Sequence, residues 1–133
     1  MANFHPDNRG RQTGYCRPGL EAKGHPTLLD IAWAAGIYEG EGSVYSGHKN
    51  SESLLVVQKD TWILYKLQYL FGGSISLNSH HGTRSPCSTW RLCGSRARGF
   101  LLTIFTWLSP RRRQQALRYF TFKKGLRKGT DNK

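Results

Sequence analysis

Acid is scarce in this chain. Eight of its 133 residues are Asp or Glu, against twenty Lys and Arg, for a formal charge of +12. Such an imbalance resists compaction, and its usual reason is a polyanionic partner, most often nucleic acid. Long apolar runs are also missing. No stretch is long enough to cross a bilayer, and no signal-peptide core is present. The expectation is therefore a protein with no membrane partner. Cysteine is sparse. Cys16, Cys87 and Cys93 are an odd number with no close C-x-x-C pair, which argues against a secreted disulfide scaffold. An intracellular, cytoplasmic setting is the simpler expectation, with a nucleoid or an organelle matrix as alternatives. In "SHHGTRSPCSTWRLC", His80, His81, Cys87 and Cys93 are residue types that bind zinc. Their spacing fits no standard finger. A polar hairpin loop with two ordinary cysteines is the plainer reading.

What the chain does have is aromatic residues spread along its length, which argues against general disorder. Its size suits one domain with a modest core. Residues 1–26 are rich in Gly, Pro and Arg without periodicity, and read as a basic, flexible or extended arm. Such an arm could lie along phosphates or simply be a charged terminus. Residues 27–122 read as the folded domain, and 123–133 as a basic tail.

Thr27 is a good helix N-cap, with Asp30 three residues on. The helix it starts should run from 28 to about 39. Leu29, Trp33 and Ile37 suit a core stripe, and Ala32, Ala35, Gly36 and Gly40 form a small-residue stripe. That small face suits either a second backbone or the chain's own sheet. Strands are expected over 43–48 and 51–58. A second helix follows, capped by Asp60 or Thr61 and ended by Gly72. A second hairpin covers 74–94, with one apolar and one polar face. Two more helices follow, the last starting at Ser109–Pro110. The class is α+β, an antiparallel four-stranded sheet with helices on one face. The other face would be open, polar and basic, a shape that fits a DNA major groove.

Glu39 and Glu41 are the anomaly. They sit where the first helix ends, and an anion at a helix C-terminus costs about 0.3–1 kcal/mol. The nine residues "AAGIYEGEG", 34–42, resemble the signature of the LAGLIDADG homing endonucleases. "VVQKD", "LYKLQYLFGGSI", "TWRLCG" and "LSPRRRQQAL" look like the same family's second strand, second helix, closing strand and basic final segment. The signature departs from the family at Ala34, at Tyr38 and in having Glu at both acid positions.

The resemblance implies an αββαββα homing-endonuclease-like fold. It implies a site-specific, metal-dependent endonuclease, a hydrolase making double-strand breaks in a long, roughly palindromic site, with intron-encoded relatives. One signature per chain implies a homodimer joined through Ala32, Ala35, Gly36, Glu39 and Gly40. Glu41 becomes a ligand for Mg²⁺, with Mn²⁺ substituting, and the Gly40 carbonyl helps. Glu39 would satisfy groups at the helix junction of the dimer. Gln58 and Arg112 join Glu41 as catalytic residues, positioning water or offsetting charge. On composition alone, Glu41 is a loop acid, Gln58 a strand end and Arg112 a phosphate contact.

Alternation assigns base reading to Tyr45, Gly47, Ser53 and Leu55, and to Ser74, Ser76, Asn78, Thr89 and Arg91. Arg91 suits a bidentate guanine contact. Lys49, Arg84, Arg96, Arg98, Arg111 and Arg113 suit phosphates. The partner is double-stranded DNA, with no small-molecule substrate. The alternatives are a cleavage-inactive DNA- or RNA-binding protein of the same fold, such as a splicing helper or regulator, and a basic RNA-binding protein without metal.

Overall fold

The computed structural model describes the backbone of residues 19–46, 52–79 and 86–131, and their side chains except 46, 78–79 and 121–131. Thr27 starts the first helix. Its hydroxyl accepts the Asp30 amide at 3.1 Å, and the Asp30 carboxylate accepts the Thr27 amide at 2.9 Å. This full capping box contributes about 1 kcal/mol. The helix, α1 (Leu28–Glu41), runs past residue 39, so Glu41 is its last residue and leads directly into a strand.

The buried side of α1 corrects the expectation. Leu29 is 81% exposed, while Ala34, Ala35 and Tyr38 are buried. The two alanines let the helix come close to its own sheet, and the Tyr38 ring packs edge-on to Phe100 at 6.1 Å. Ala35 therefore belongs to the chain's own core and not to an interchain patch. Gly36 and Gly40 point the other way. A Cβ on either would meet nothing within 4 Å. Ala32, Trp33 and Ile37 are half-buried.

Four strands follow the predicted rhythm: β1 (Gly42–Ser46), β2 (Glu52–Gln58), β3 (Ser74–Ser79) and β4 (Cys87–Cys93). They form an antiparallel sheet in the order β1-β2-β4-β3. β4 alternates strictly, with Ser88, Trp90 and Leu92 buried and the residues between them half-exposed. The helices α2 (Thr61–Phe71), α3 (Gly94–Ile104) and α4 (Pro110–Asp131), with a 3₁₀ turn at Phe105–Trp107, join α1 over the buried face. Asp60 caps α2 by accepting the Trp62 amide at 3.2 Å. At the turn into β3, Gly72 and Gly73 have φ of 79° and 102°. This is backbone that favours glycine. A Cβ on Gly73 would also lie 2.6 Å from the Arg91 carbonyl oxygen. The close fit lets Trp90 donate its indole N–H to the Gly72 carbonyl at 2.8 Å.

Part of the stretch read as an arm is fastened down. Leu20 and Gly73 exchange two backbone hydrogen bonds of 2.9 Å, and the amides of Lys23 and Gly24 reach the Tyr69 carbonyl at 2.9 Å. At the other terminus, α4 runs through the segment read as a tail as far as Asp131. Among the described residues, no helix is long and apolar enough to cross a membrane.

Candidate functional site

The end of α1 and the start of α4 hold each other reciprocally. The Glu39 carboxylate accepts the backbone N–H of Ser109 at 2.9 Å, just ahead of α4. The Glu39 carbonyl, in the last turn of α1, accepts Nε and Nη2 of Arg112 at 3.1 and 3.0 Å. An anion thus meets a helix N-terminus and a cation meets a helix C-terminus, each the favoured sign. The Ser109 backbone N–H is the largest cause holding the Glu39 carboxyl below its ordinary value. The Ser109 hydroxyl adds to it, and Arg112 and Arg111 add further. Arg112 also donates Nη1 to the Gln115 side chain at 3.0 Å and lies over the Tyr38 ring at 5.2 Å. Burial foremost pushes the Tyr38 hydroxyl up to about 12. Glu39 was expected at a helix junction between two chains. It serves a junction within one chain.

The two glycines of "EGEG" have different reasons. Gly42 lies against the Tyr38 ring, so a side chain there would collide where the helix turns into β1. Gly40 borders open space. Beside it Glu41 is exposed. Gln58 ends β2 at the same end of the sheet. Gly42 pairs with Val56, and Gln58 lies two residues further on, opposite Ser88. Gln58 is half-buried and on the helix-facing side by alternation. Arg111 is exposed at the start of α4 and within electrostatic reach of Glu39. Glu41, Gln58 and Arg111 thus all lie where α1, β2 and α4 end or begin around one rim.

The register defines the open face of the sheet. Tyr45 pairs with Ser53 and Ser53 with Cys93, while Leu55 pairs with Arg91 and Arg91 with Ser74. Thr89 pairs with Ser76. Tyr45 and Ser76 are exposed, and Leu55, Ser74, Thr89 and Arg91 are half-buried. Ser53 is 3% exposed, so it is a support and not a reader. It accepts Nη1 of Arg91 at 3.4 Å. Burial lowers the Arg91 pKa, and nearby Tyr45 opposes that shift. Sequence reasoning missed Ser43, Val57 and Cys87, which share this face. Each lies two residues from a residue it had chosen, so the same alternation would have found them.

Other basic residues depart from expectation. Arg96 and Arg98 sit on α3, in the helix layer. Arg96 donates to the Leu20 carbonyl at 2.8 Å and pairs with Glu21 at 3.8 Å. Arg98 pairs at 3.3 Å with Glu52, whose residue is 4% exposed. Arg113 donates to the Thr106 carbonyl at 3.0 Å and lies over the Phe105 ring at 5.9 Å. All three make contacts within the chain where phosphate contacts were expected, and the Nε of Arg113 is buried without a hydrogen-bond partner. Gly47, Lys49, His80, His81 and Arg84, and the side chain of Asn78, lie outside the described residues.

The donor set selects among metals. Among the described residues, no group of three or more His, Cys, Asp or Glu converges. Cys93 is disulfide-bonded. A disulfide sulfur is not a thiolate ligand, which removes Cys93 from any zinc set. The rim offers one exposed carboxylate, Glu41, beside the exposed Gly40. Mg²⁺ is commonly held by one or two carboxylates, with water and phosphate oxygens completing the shell. The rim fits that chemistry and does not fit a closed zinc site.

No family model matches the chain, and no curated protein does. Solved structures do. The homing endonuclease I-CvuI in complex with its target, in the presence of Ca, matches at TM-score 0.59 and 23% identity over 77% of this chain and 71% of that one. The archaeal intron-encoded homing endonuclease I-Vdi141I complexed with DNA matches at TM-score 0.56 and 16% identity, over 76% and 70%. The homing endonuclease I-TnaI matches at TM-score 0.52 and 18% identity, over 74% of each. The likeness is one of fold.

Proposed function

We propose that this chain, which has the fold of the LAGLIDADG-type homing endonucleases, is itself a homodimeric, metal-dependent DNA endonuclease. The observation that carries the reading is the exposed Glu41 at the end of a helix whose outer face is bare. A lone carboxylate makes an incomplete metal site in one chain. The outer face of α1 supplies the means to complete it. Leu29, Ala32, Gly36 and Gly40 form a patch that a second copy can meet about a two-fold axis. Two copies of Glu41 then lie together, each in need of a cation.

Glu41 would hold Mg²⁺ or Mn²⁺, with the Gly40 carbonyl beside it. An ion held there would supply activation of water and stabilisation of the leaving oxygen. Gln58 orients water at the same rim. Arg111 offsets charge at the phosphate. Arg91, Tyr45, Thr89 and Ser76 present hydrogen-bonding groups to base edges from the open sheet. Two identical sheets read a two-fold symmetric site. DNA in complex with I-CvuI and with I-Vdi141I supports the choice of partner.

The test is cleavage of a DNA site selected from a random library in Ca²⁺ and then moved to Mg²⁺. EDTA should abolish cutting. Glu41→Gln should reduce it by more than about 100-fold, beyond the cost of losing an outer-shell partner, while binding in Ca²⁺ survives. Continued cutting by Glu41→Gln overturns the metal assignment. A wild type that binds but never cuts makes the chain a cleavage-inactive binding protein on the same fold.

The dimer has its own check. Gly36→Leu places a branched side chain in the bare face and should convert a sedimenting dimer to a monomer. A wild type that remains monomeric on DNA overturns the dimer.

A further inference from the structure

We propose that Arg112 is a positioning residue that clamps the last turn of α1, and that its neighbour Arg111 is the cation that faces the phosphate. The functional half rests on the nuclease reading above. The structural half does not.

The turn that carries Glu41 needs holding. Gly40 has nothing within 4 Å of its Cβ position, so no side-chain packing fixes it there. Within the helix, the Gly42 amide reaches back to the Tyr38 carbonyl. Beyond the pairing of Gly42 with Val56 in the sheet, a further restraint comes through Glu39. Its carbonyl takes two donors from Arg112, at 3.1 and 3.0 Å, and its carboxylate takes the Ser109 amide at 2.9 Å. One residue is therefore tied from both its main chain and its side chain to the start of α4. Glu41 lies two positions beyond it.

Arg112 is itself fixed. Each of its three guanidinium nitrogens has a partner within the chain, and the residue is 8% exposed. A phosphate outside could reach it only by displacing the Glu39 carbonyl or Gln115. Arg111 has the opposite setting. It is exposed at the adjacent position, close enough to act on the Glu39 carboxylate. The clamp uses the planar fork of arginine, whose Nε and Nη2 converge on one carbonyl oxygen. Lysine, a point charge, cannot reproduce that. At a phosphate, by contrast, lysine is a good substitute.

That difference supplies the test, made on the full chain with Arg112→Lys, Arg112→Met and Arg111→Gln. The first readout is hydrogen exchange of the Gly42 amide, with the thermal midpoint. Both Arg112 variants should speed that exchange and lower the midpoint by about 3–5 °C, lysine no better than methionine. Arg111→Gln should change neither. The second readout is cleavage against Mg²⁺ concentration. The Arg112 variants should need more Mg²⁺ for half-maximal cutting and recover at high Mg²⁺. Arg111→Gln should lose about 10²-fold that no Mg²⁺ restores. An Arg112→Lys protein with wild-type exchange and wild-type cutting overturns the proposal, since charge alone would then suffice. So does an Arg112→Met protein with unchanged exchange and no cutting. If the wild type cuts nothing, the nuclease reading fails, and the exchange and midpoint still decide the clamp.

Discussion

Arginines in the helix layer and arginines on the open sheet lead different lives. Arg98 faces a buried carboxylate at 3.3 Å, Arg96 ties residues 20 and 21 to α3, and Arg112 closes the end of α1. Each gives at least one guanidinium donor to a group of the same chain. On the open face, Arg91 makes one long bond, 3.4 Å, to a serine that supports it from below. It stays half-exposed on β4, between β2 and β3. A charge of +12 reads as a demand for a polyanion. The comparison shows that only part of that charge is available to meet it. An arginine whose fork is already satisfied contributes to the fold, and its transfer to a phosphate would cost the bonds it leaves.

The largest effect that could break this contrast is at Arg98. Arg98→Ala removes the guanidinium from a carboxylate whose residue is 4% exposed. The Arg98 side chain is 30% exposed, so the loss is that of a charged hydrogen bond at a partly open site, about 1.5–3 kcal/mol. A denaturant midpoint should fall accordingly, with unchanged slope. DNA affinity in Ca²⁺, measured where both proteins are folded, should stay the same. A stable Arg98→Ala protein that binds all DNA more weakly would put α3 on the phosphates and dissolve the distinction.

The sequence carried the fold because its punctuation is local. Thr27 with Asp30, Asp60, Gly72, and Ser109 before Pro110 each mark a helix end by residues within a few positions of that end. Alternation in β4 marks its two faces without outside information. The orientation of α1 was not legible. Leu29, Trp33 and Ile37 are as apolar as Ala34, Ala35 and Tyr38, so a helix apolar on all sides has no period to read. Only packing against the sheet chose the alanines and left Leu29 outside.

The site was legible in part for the same reason. Glu41 stands out because an acid conflicts with a helix end, a local fact. The role of Glu39 depends on Ser109, seventy residues away. Arg98 finds Glu52 across 46 residues, and Arg112 finds the Glu39 carbonyl across 73. No window of sequence contains both partners. The three arginines 111–113 are identical in sequence, and only the pitch of α4 turns one outward and two inward.

The smaller effects lie on the open face and sharpen the contrast from its other side. Arg91→Ala should relax base preference at one symmetric pair of positions by about 1–3 kcal/mol, the range for a bidentate contact. Stability should change little, because the side chain gives up one weak bond. Ser53→Ala should do less, about 0.5–1.5 kcal/mol of the same preference, because it frees the guanidinium without removing it. The two substitutions should therefore act at the same base positions. In the double variant the Ser53 effect should vanish, since a support has nothing left to orient. The measurement is a selected consensus in Ca²⁺ for each protein, with the salt dependence of binding beside it. A phosphate contact behaves otherwise. Its loss weakens every sequence alike and lowers the salt slope by about one contact. If Arg91→Ala leaves the consensus intact and flattens the salt slope, then the open sheet touches only the backbone. Specificity would then lie in DNA shape, and the contrast between the two layers would concern exposure alone.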